Sequence, residues 1–270
     1  MTLPTLDQTT FRRIADLMHT SVGLSFADSK KALVNSRLST RLQRLGLDRF
    51  EDYLERLQHD ADGIEFQCAV DLLTTNETYF FREPAHYALI EQEILRTKPL
   101  TLAVWSAAAS FGDEAYSTAM LLADLQQRSV LGSDWRVLGT DISDRVLRSA
   151  VEGIYPEDRL RDVSPERLRR YCLRGSDASA GLVQMGPRLR ERVRFGQLNL
   201  CQPIDDIGPF DIVLLRNVLI YFDAATKAAV VDRVLTQLRP GGLFFIGTAE
   251  GRVACSTPLQ PVAPGAFRKT

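Results

Sequence analysis

The chain is poor in the residues that metal chemistry and covalent stapling require. Its 270 residues include only three histidines (His19, His59, His86) and four cysteines (Cys68, Cys172, Cys201, Cys255). The cysteines form no CxxC pair and the histidines no HxxxH or HExxH spacing, so zinc ligation and metal-assisted hydrolysis lack a donor set. No metal site is expected. No apolar run reaches the ~20 residues of a membrane helix. Residues 1–10 lack the basic start and apolar core of a secretory signal. Membrane insertion is therefore not expected, and the thiols are expected to stay reduced in a cytoplasmic protein. Net charge is also nearly absent, with 33 Lys and Arg against 34 Asp and Glu. That balance excludes a globally basic nucleic-acid binder but leaves room for a local patch.

What is present is an ordinary globular composition, 45% hydrophobic and 25% charged, ample for a core without staples. At roughly 150 residues per domain, the length suggests one large domain or one with a smaller companion. Residues 1–73 read as a small helical unit. Phe11, Ile14, Leu17 and Met18 recur at helical spacing, as do Val34, Leu38, Leu42 and Leu45, then Phe50, Tyr53, Leu54 and Leu57. Gly23, Gly46 and Gly63 punctuate them.

From Thr101 the rhythm becomes strand–helix alternation. Strands are expected at 102–105, 135–140, 210–215 and 242–247, and helices at 113–125, 143–151 and 224–238. Such alternation predicts a parallel sheet covered on both faces, with ligands beyond the carboxyl ends of its strands. Residues 155–198 interrupt the rhythm with two short β-like runs, around Leu182-Val183 and at 193–195. They read as an inserted strand subdomain within the unit spanning 74–270.

The first strand runs into Ser106-Ala107-Ala108-Ala109-Ser110-Phe111-Gly112, the place of a Rossmann glycine loop with only one glycine. Small side chains there serve either close ligand approach or plain tight packing. Asp141, at the end of the second strand, suits the two hydroxyls of a ribose or the cap of the next helix. Polar groups also cluster at Asn76-Glu77-Thr78-Tyr79-Phe80-Phe81-Arg82, at Asn199-Leu200, and at the end of a buried strand in Arg216-Asn217. Buried polar groups need partners. A ligand is one such partner. A surface ion pair with Glu83 or Asp113 is the bland role for Arg82, and a core aromatic that for Tyr221.

These stretches together resemble the CheR-type chemotaxis receptor glutamate methyltransferases, which use S-adenosylmethionine. The resemblance runs from about Phe11 to Arg268. It is carried by NETYFFRE (76–83), WSAAASFGDEAYS (105–117), GTDIS (139–143), RYCLRG (170–175), NL (199–200) and RNVLIYFD (216–223). It implies a class I Rossmann-like methyltransferase sheet, a small N-terminal all-α domain and an inserted antiparallel β-subdomain. Position by position, Asn76, Thr78 and Arg82 resemble the family's cofactor-contacting residues. Glu114 resembles the acid that holds the methionyl amino group, and Asp141 the ribose ligand. Asn199 and Leu200 resemble the adenine-side contact, and Arg216 and Asn217 a further cofactor contact. Arg82 and Tyr221 resemble the side chains beside the reactive methyl. Asp113, Phe111 and Ala115 depart from a usual Glu, Thr and Pro, and the bulk of Phe111 bears on cofactor entry.

One local charge asymmetry stands out. Between Asp28 and Asp48 no acid occurs, while Arg37, Arg41 and Arg44 share a helix face at i, i+4, i+7 spacing. Such a stripe is either a solvated face or a docking surface. The resemblance implies that it meets chemoreceptor cytoplasmic helices. In some family members the inserted subdomain also captures a short peptide from the receptor's C-terminus by strand addition. Other enzyme classes fit poorly. The D/N-P-P-Y/F motif of amino-methylating nucleic-acid enzymes is replaced by Arg216-Asn217-Val218-Leu219, no Pro-Cys pair occurs, and GxGxxG is absent. A catalytically silent, cofactor-binding interaction module is the non-enzymatic alternative, and intact Arg82, Glu114, Asp141 and Tyr221 weigh against it.

Overall fold

The structure is a computed structural model that describes residues 4–251 and 254–270. Its first unit is built from α1 (Gln8–Val22), α2 (Lys31–Leu45), α3 (Phe50–Gln58) and α4 (Ile64–Leu73). Asp7 caps α1 by accepting from the Thr10 N–H at 2.9 Å, and Gly23 ends it in the left-handed conformation that favours glycine. The apolar stripes converge on one core of Phe11, Ile14, Val34, Leu38, Tyr53 and Leu54.

The second unit opens with α5 (Pro84–Thr97), then β1 (Thr101–Ser106), α6 (Asp113–Gln127), β2 (Asp134–Asp141) and α7 (Asp144–Glu152). The chain continues through β3 (Ile154–Pro156), α8 (Pro165–Tyr171), β4 (Cys172–Arg174), β5 (Leu182–Met185) and α9 (Pro187–Arg190). It ends with β6 (Val193–Gln197), β7 (Phe210–Leu215), α10 (Ala224–Thr236), β8 (Leu238–Ile246), β9 (Leu259–Ala263) and β10 (Ala266–Lys269). Seven strands form one sheet in the order β6-β2-β1-β7-β8-β10-β9. The first five are parallel, while β10 runs antiparallel to both neighbours. Apolar side chains fill both faces, with Val104 and Leu214 in one core and Trp105 and Val213 in the other. Burial on both faces explains why these strands read as continuous apolar runs. Strand order reverses between β1 and β7, so a crevice opens beyond their carboxyl ends.

Two of the strands expected from the sequence are placed differently in the structure. The run at 193–197 is not part of the inserted subdomain. It is β6, an edge strand of the main sheet paired in parallel with β2. Period-2 patterning marks a strand but not the sheet it joins, so the insert contracts to β3, β4 and β5, ordered β3-β5-β4 and antiparallel. The last parallel strand also begins earlier than expected, at Leu238. Residues 239–242 are a bulged stretch of β8, with a register shift against Phe210 and Ile212 of β7.

The helical unit is stitched to the sheet at the crevice. The Asn199 side chain donates to the Ser21 carbonyl at 2.8 Å, and the Ser25 N–H donates to the Tyr221 carbonyl at 3.0 Å. Gln67 donates to the Ile142 carbonyl at 3.0 Å. All four cysteines are free thiols. Among the described residues no helix is long and apolar enough to cross a membrane, and no cluster of metal-ligating side chains occurs.

Candidate active site

The crevice holds a cleft of about 940 Å³, its open mouth included. Asn76, Thr78, Arg82, Glu114, Asp141, Asn199, Leu200, Arg216, Asn217 and Tyr221 all line it. Residues far apart in sequence thus converge because each lies at or just past a strand end, on the helical turn that follows one, or on the linker crossing the strand ends. Val22 and Leu24, from the helical unit, also line the cleft. They carry no sequence signal, being two apolar residues in an apolar helical stretch. With Ala107, Ile142, Leu198, Leu200 and Phe222 they make an apolar wall suited to a flat base.

The loop after β1 works with little glycine because its backbone is pinned. The N–H groups of Ala107 and Ala109 donate to the carbonyls of Leu214 and Thr140, both at 2.8 Å. Ser110 adopts a φ of 49° and Gly112 one of 90°. A Cβ on Gly112 would stand 3.0 to 3.1 Å from Ala150, Phe195 and Tyr155, so the single glycine is needed for conformation and for space. Phe111 does not line the cleft. It turns toward the insert, with the Arg159 guanidinium 4.7 Å over its ring. Asp113, fully buried, receives two bonds from Arg159 at 2.7 and 2.9 Å.

Glu114 projects from the first turn of α6. One of its oxygens accepts from Ser106 at 2.7 Å and the other from Arg216 at 3.1 Å. Burial pushes its carboxyl up, against the pull of Arg216 and Ser106. Arg216 is itself buried. It lies 3.7 Å from Glu83, donates to the Arg82 carbonyl, and stacks over the Tyr87 ring at 5.7 Å. Its Nε has no partner. Two carboxyl groups therefore share one buried guanidinium, with Arg82 adding a weaker pull on Glu114, so the pairing is incomplete when both are ionised. A cationic ligand group beside Glu114 would complete it.

Asp141 takes the capping role that its position in the sequence allows. Its two oxygens accept from the N–H groups of Ser110 and Ser143 at 2.8 and 3.0 Å, the second satisfying the start of α7. The Ser143 hydroxyl makes no cap bond. Each carboxylate oxygen keeps a further lone pair, and Asp141 still borders the cleft. Burial pushes its carboxyl up as well. Asn199 is more committed than expected. Its amide donates to Ser21, and its side-chain oxygen accepts from the Cys201 N–H at 2.9 Å, which leaves chiefly backbone for a ligand.

Asn76 donates to Thr74 at 3.2 Å and its carbonyl accepts from Ser110. Arg82 donates to the Glu77 carbonyl at 3.0 Å and lies over Tyr79. It forms no carboxylate ion pair among the described residues. Asp113 is taken by Arg159, and Glu83 faces Arg216 and Asn217. Burial pushes the Tyr221 phenol up, opposed by Arg82.

The basic stripe on α2 is not the free face its spacing suggests. Arg37 donates to the carbonyls of Leu73 and Thr74 at 2.7 and 3.1 Å and to Thr75 at 3.0 Å, closing the end of α4. Arg41 forms a two-pronged pair with the buried Glu65 at 2.9 and 2.5 Å. Only Arg44 of the three is exposed. The acids and carbonyls that take the other two come from α4 and the residues just after it, out of reach of any reading of α2 alone.

A mostly parallel seven-stranded sheet with an antiparallel strand next to one edge, and a cleft built of a first-loop small-residue run, Glu114 and Asp141, defines a class I S-adenosylmethionine-dependent methyltransferase. Residues 76–260 match the family model "CheR methyltransferase, SAM binding domain", and residues 9–74 match "CheR methyltransferase, all-alpha domain". The chain belongs to the CheR methyltransferase family. It is 41% identical over 244 residues to the chemotaxis protein methyltransferase of Escherichia coli strain K12, covering 89% of this chain and 83% of that one. Over 260 residues it is 39% identical to chemotaxis protein methyltransferase 2 of Pseudomonas aeruginosa, covering 93% and 90%.

Proposed function

We propose that the protein is a protein-glutamate O-methyltransferase. It moves the methyl group of S-adenosylmethionine onto glutamate side chains of methyl-accepting chemotaxis receptors, leaving methyl esters and S-adenosylhomocysteine. The observation that carries this reading is the pairing, in one cleft, of an electrostatically incomplete Glu114 cluster with an arginine and a tyrosine and no histidine. The names of the relatives support the chemotaxis setting.

The residues present fit the cofactor. Glu114 would hold its amino group, Asp141 its ribose, and the apolar wall its base. When bound it supplies an electrophilic sulfonium methyl. A substrate glutamate, with a reference pKa of about 4.3, arrives already ionised, so no general base is required. Arg82 orients that carboxylate by a charge-assisted hydrogen bond. Tyr221 shares the task, because a grip by Arg82 alone would stabilise the ground state and slow attack. The helical unit 1–73 docks the receptor helices in the cytoplasm, with Arg44 as the exposed cation of its stripe. A C-terminal receptor peptide on the insert is a further docking mode of this reading. Nucleic acid is not a partner.

The test is transfer of radiolabelled methyl from S-adenosylmethionine to receptor membranes. Base-labile label is expected, and label that survives mild base would overturn the ester assignment. Arg82→Ala and Tyr221→Phe should lower turnover far more than they weaken cofactor binding. Near wild-type turnover in both would remove them from the reaction.

A further inference from the structure

Arg82 is presented by an unusual stretch of backbone. Phe81 and Glu83, on either side of it, have φ of 56° and 58°. Residues with a Cβ hold this left-handed region only where their surroundings impose it. Three sets of bonds impose it here. The Phe81 N–H donates to Ser117 at 2.9 Å, and the Arg82 carbonyl accepts from Arg216. The Glu83 carboxylate supplies the third, accepting from the Asn217 amide at 3.2 Å and from the Thr248 N–H at 3.1 Å. Asn217, just past the end of β7, is itself left-handed, with φ 58°. Glu83 thus ties the linker to the ends of β7 and β8 at once.

The clamp depends on charge. Burial works to raise the Glu83 carboxyl, but Arg216, Asn217 and the Thr248 N–H outweigh it and hold the group below the usual carboxylate range. Both facing groups donate to it and Arg216 stands 3.7 Å away, a setting that suits a carboxylate. His86 faces the same carboxylate, its Nδ1 3.4 Å away and its Nε2 bonded to the Pro264 carbonyl at 3.1 Å. Glu83 does not line the cleft.

We propose that Glu83 is a positioning residue for methyl transfer: its carboxylate locks the left-handed turn that aims Arg82 into the cleft. It acts through Arg82 and Asn217 and touches no ligand. The proposal rests on the role given to Arg82 above.

Glu83→Ala tests it, because it removes the acceptors of both bonds. Turnover on receptor membranes should fall at least about tenfold, with the KM for S-adenosylmethionine within about threefold of wild type. Glu83→Gln keeps the clamp's bonds, since its oxygen can accept from Thr248 while its N–H donates to the Asn217 oxygen once that amide turns over. This variant should turn over faster than Glu83→Ala, which also answers an alanine variant that folds poorly. Turnover of Glu83→Ala within about twofold of wild type, a loss confined to cofactor KM, or a glutamine variant no better than the alanine one would each overturn the proposal. Phenylglyoxal labelling of Arg82, read by mass spectrometry without cofactor, should quicken in Glu83→Ala. Unchanged labelling overturns the clamp even if no methyl transfer is seen. An inactive wild type with quickened labelling would refute the methyl-transfer reading and leave the clamp standing.

Discussion

Arg41→Ala separates a structural from a docking role for the basic stripe of α2. In the wild type Glu65 is only 4% exposed, and its charge is met by Arg41 and by the Tyr53 hydroxyl at 2.9 Å. Removing one member of a buried pair costs about 3–5 kcal/mol. The Arg41 side chain keeps 27% of its exposure, and Tyr53 still donates, so about 2–3 kcal/mol is the appropriate range. At about 2–4 °C per kcal/mol for a chain of this size, the melting temperature should drop by about 5–10 °C near pH 8. The pH dependence supplies the sharper check. Arg41, then Tyr53, hold the Glu65 carboxyl below its ordinary value of 4.5 against the opposing effect of burial. A depressed pKa gives stability that is present above the unfolded value and lost as pH falls through the folded one. Without Arg41 burial dominates and raises the group, so protonation relieves the variant at a pH where the wild type still depends on its ion pair. The gap in melting temperature, followed by circular dichroism, should therefore be widest near pH 8 and close toward about pH 4. Replacing both partners by apolar residues should recover most of the loss. An unchanged melting temperature, or a deficit constant with pH, would refute the reasoning. Arg44→Glu, on the exposed position, should leave the melt within about 0.5 kcal/mol of wild type and raise only the KM for receptor.

Cofactor affinity should weaken on acidification as Glu114, raised by burial, takes up a proton and loses its hold on a cation. Calorimetric titrations across pH should show the decline in wild type and a flat profile in Glu114→Gln. Gly112→Ala, at φ 90° with three neighbours within 3.1 Å, should cost about 1–3 kcal/mol of stability and loosen cofactor binding by shifting Ser110. A variant that melts and binds as wild type does would contradict it. Arg159→Ala leaves the buried Asp113 without its two bonds and Phe111 without its cation. The start of α6 offsets part of the charge, so a loss of about 2–3 kcal/mol is expected. Limited proteolysis should then cut the inserted strands sooner, and an unaltered cleavage rate would count against that coupling.

The sheet was legible because parallel strands buried on both faces have little freedom in composition. The runs at 102–105 and 210–215 could hardly be anything else, and small residues or turn formers bound each of them. The cleft was legible for a related reason: polar residues at the ends of apolar strands have no core partner, so Asp141 and Arg216 announce themselves, whereas Glu114, on the first turn of α6, was named by the resemblance alone. The resemblance added which group each would face. What stayed hidden is tertiary. A strand pattern at 193–197 is the same whether the strand joins β2 or the insert, and only the register with Val137 and its neighbours decides. Arg37 and Arg41 look free because the Leu73 carbonyl and Glu65 lie 36 and 24 positions away. Val22 and Leu24 reach the cleft only because Asn199 and Tyr221 hold the helical unit against it.

The same distinction orders the charges of the whole site. A run of sequence without acids says where counter-charge is missing locally, and the fold supplies it from elsewhere: Glu65 for Arg41, Asp113 for Arg159, Glu114 and Glu83 for Arg216. All four of these carboxylates lie on or next to the first turn of a helix, where the backbone dipole helps to keep them ionised while they are shielded from water. Arg216 is thereby withdrawn from solvent and Arg41 and Arg159 partly so, and each is given a structural task. Arg82 alone among the cleft's two arginines has no carboxylate among the described residues, and its flanking backbone is held in a conformation that it would not choose. Among the described residues Arg82 is thus held in the cleft by a backbone carbonyl and a ring alone, at the expense of a strained turn.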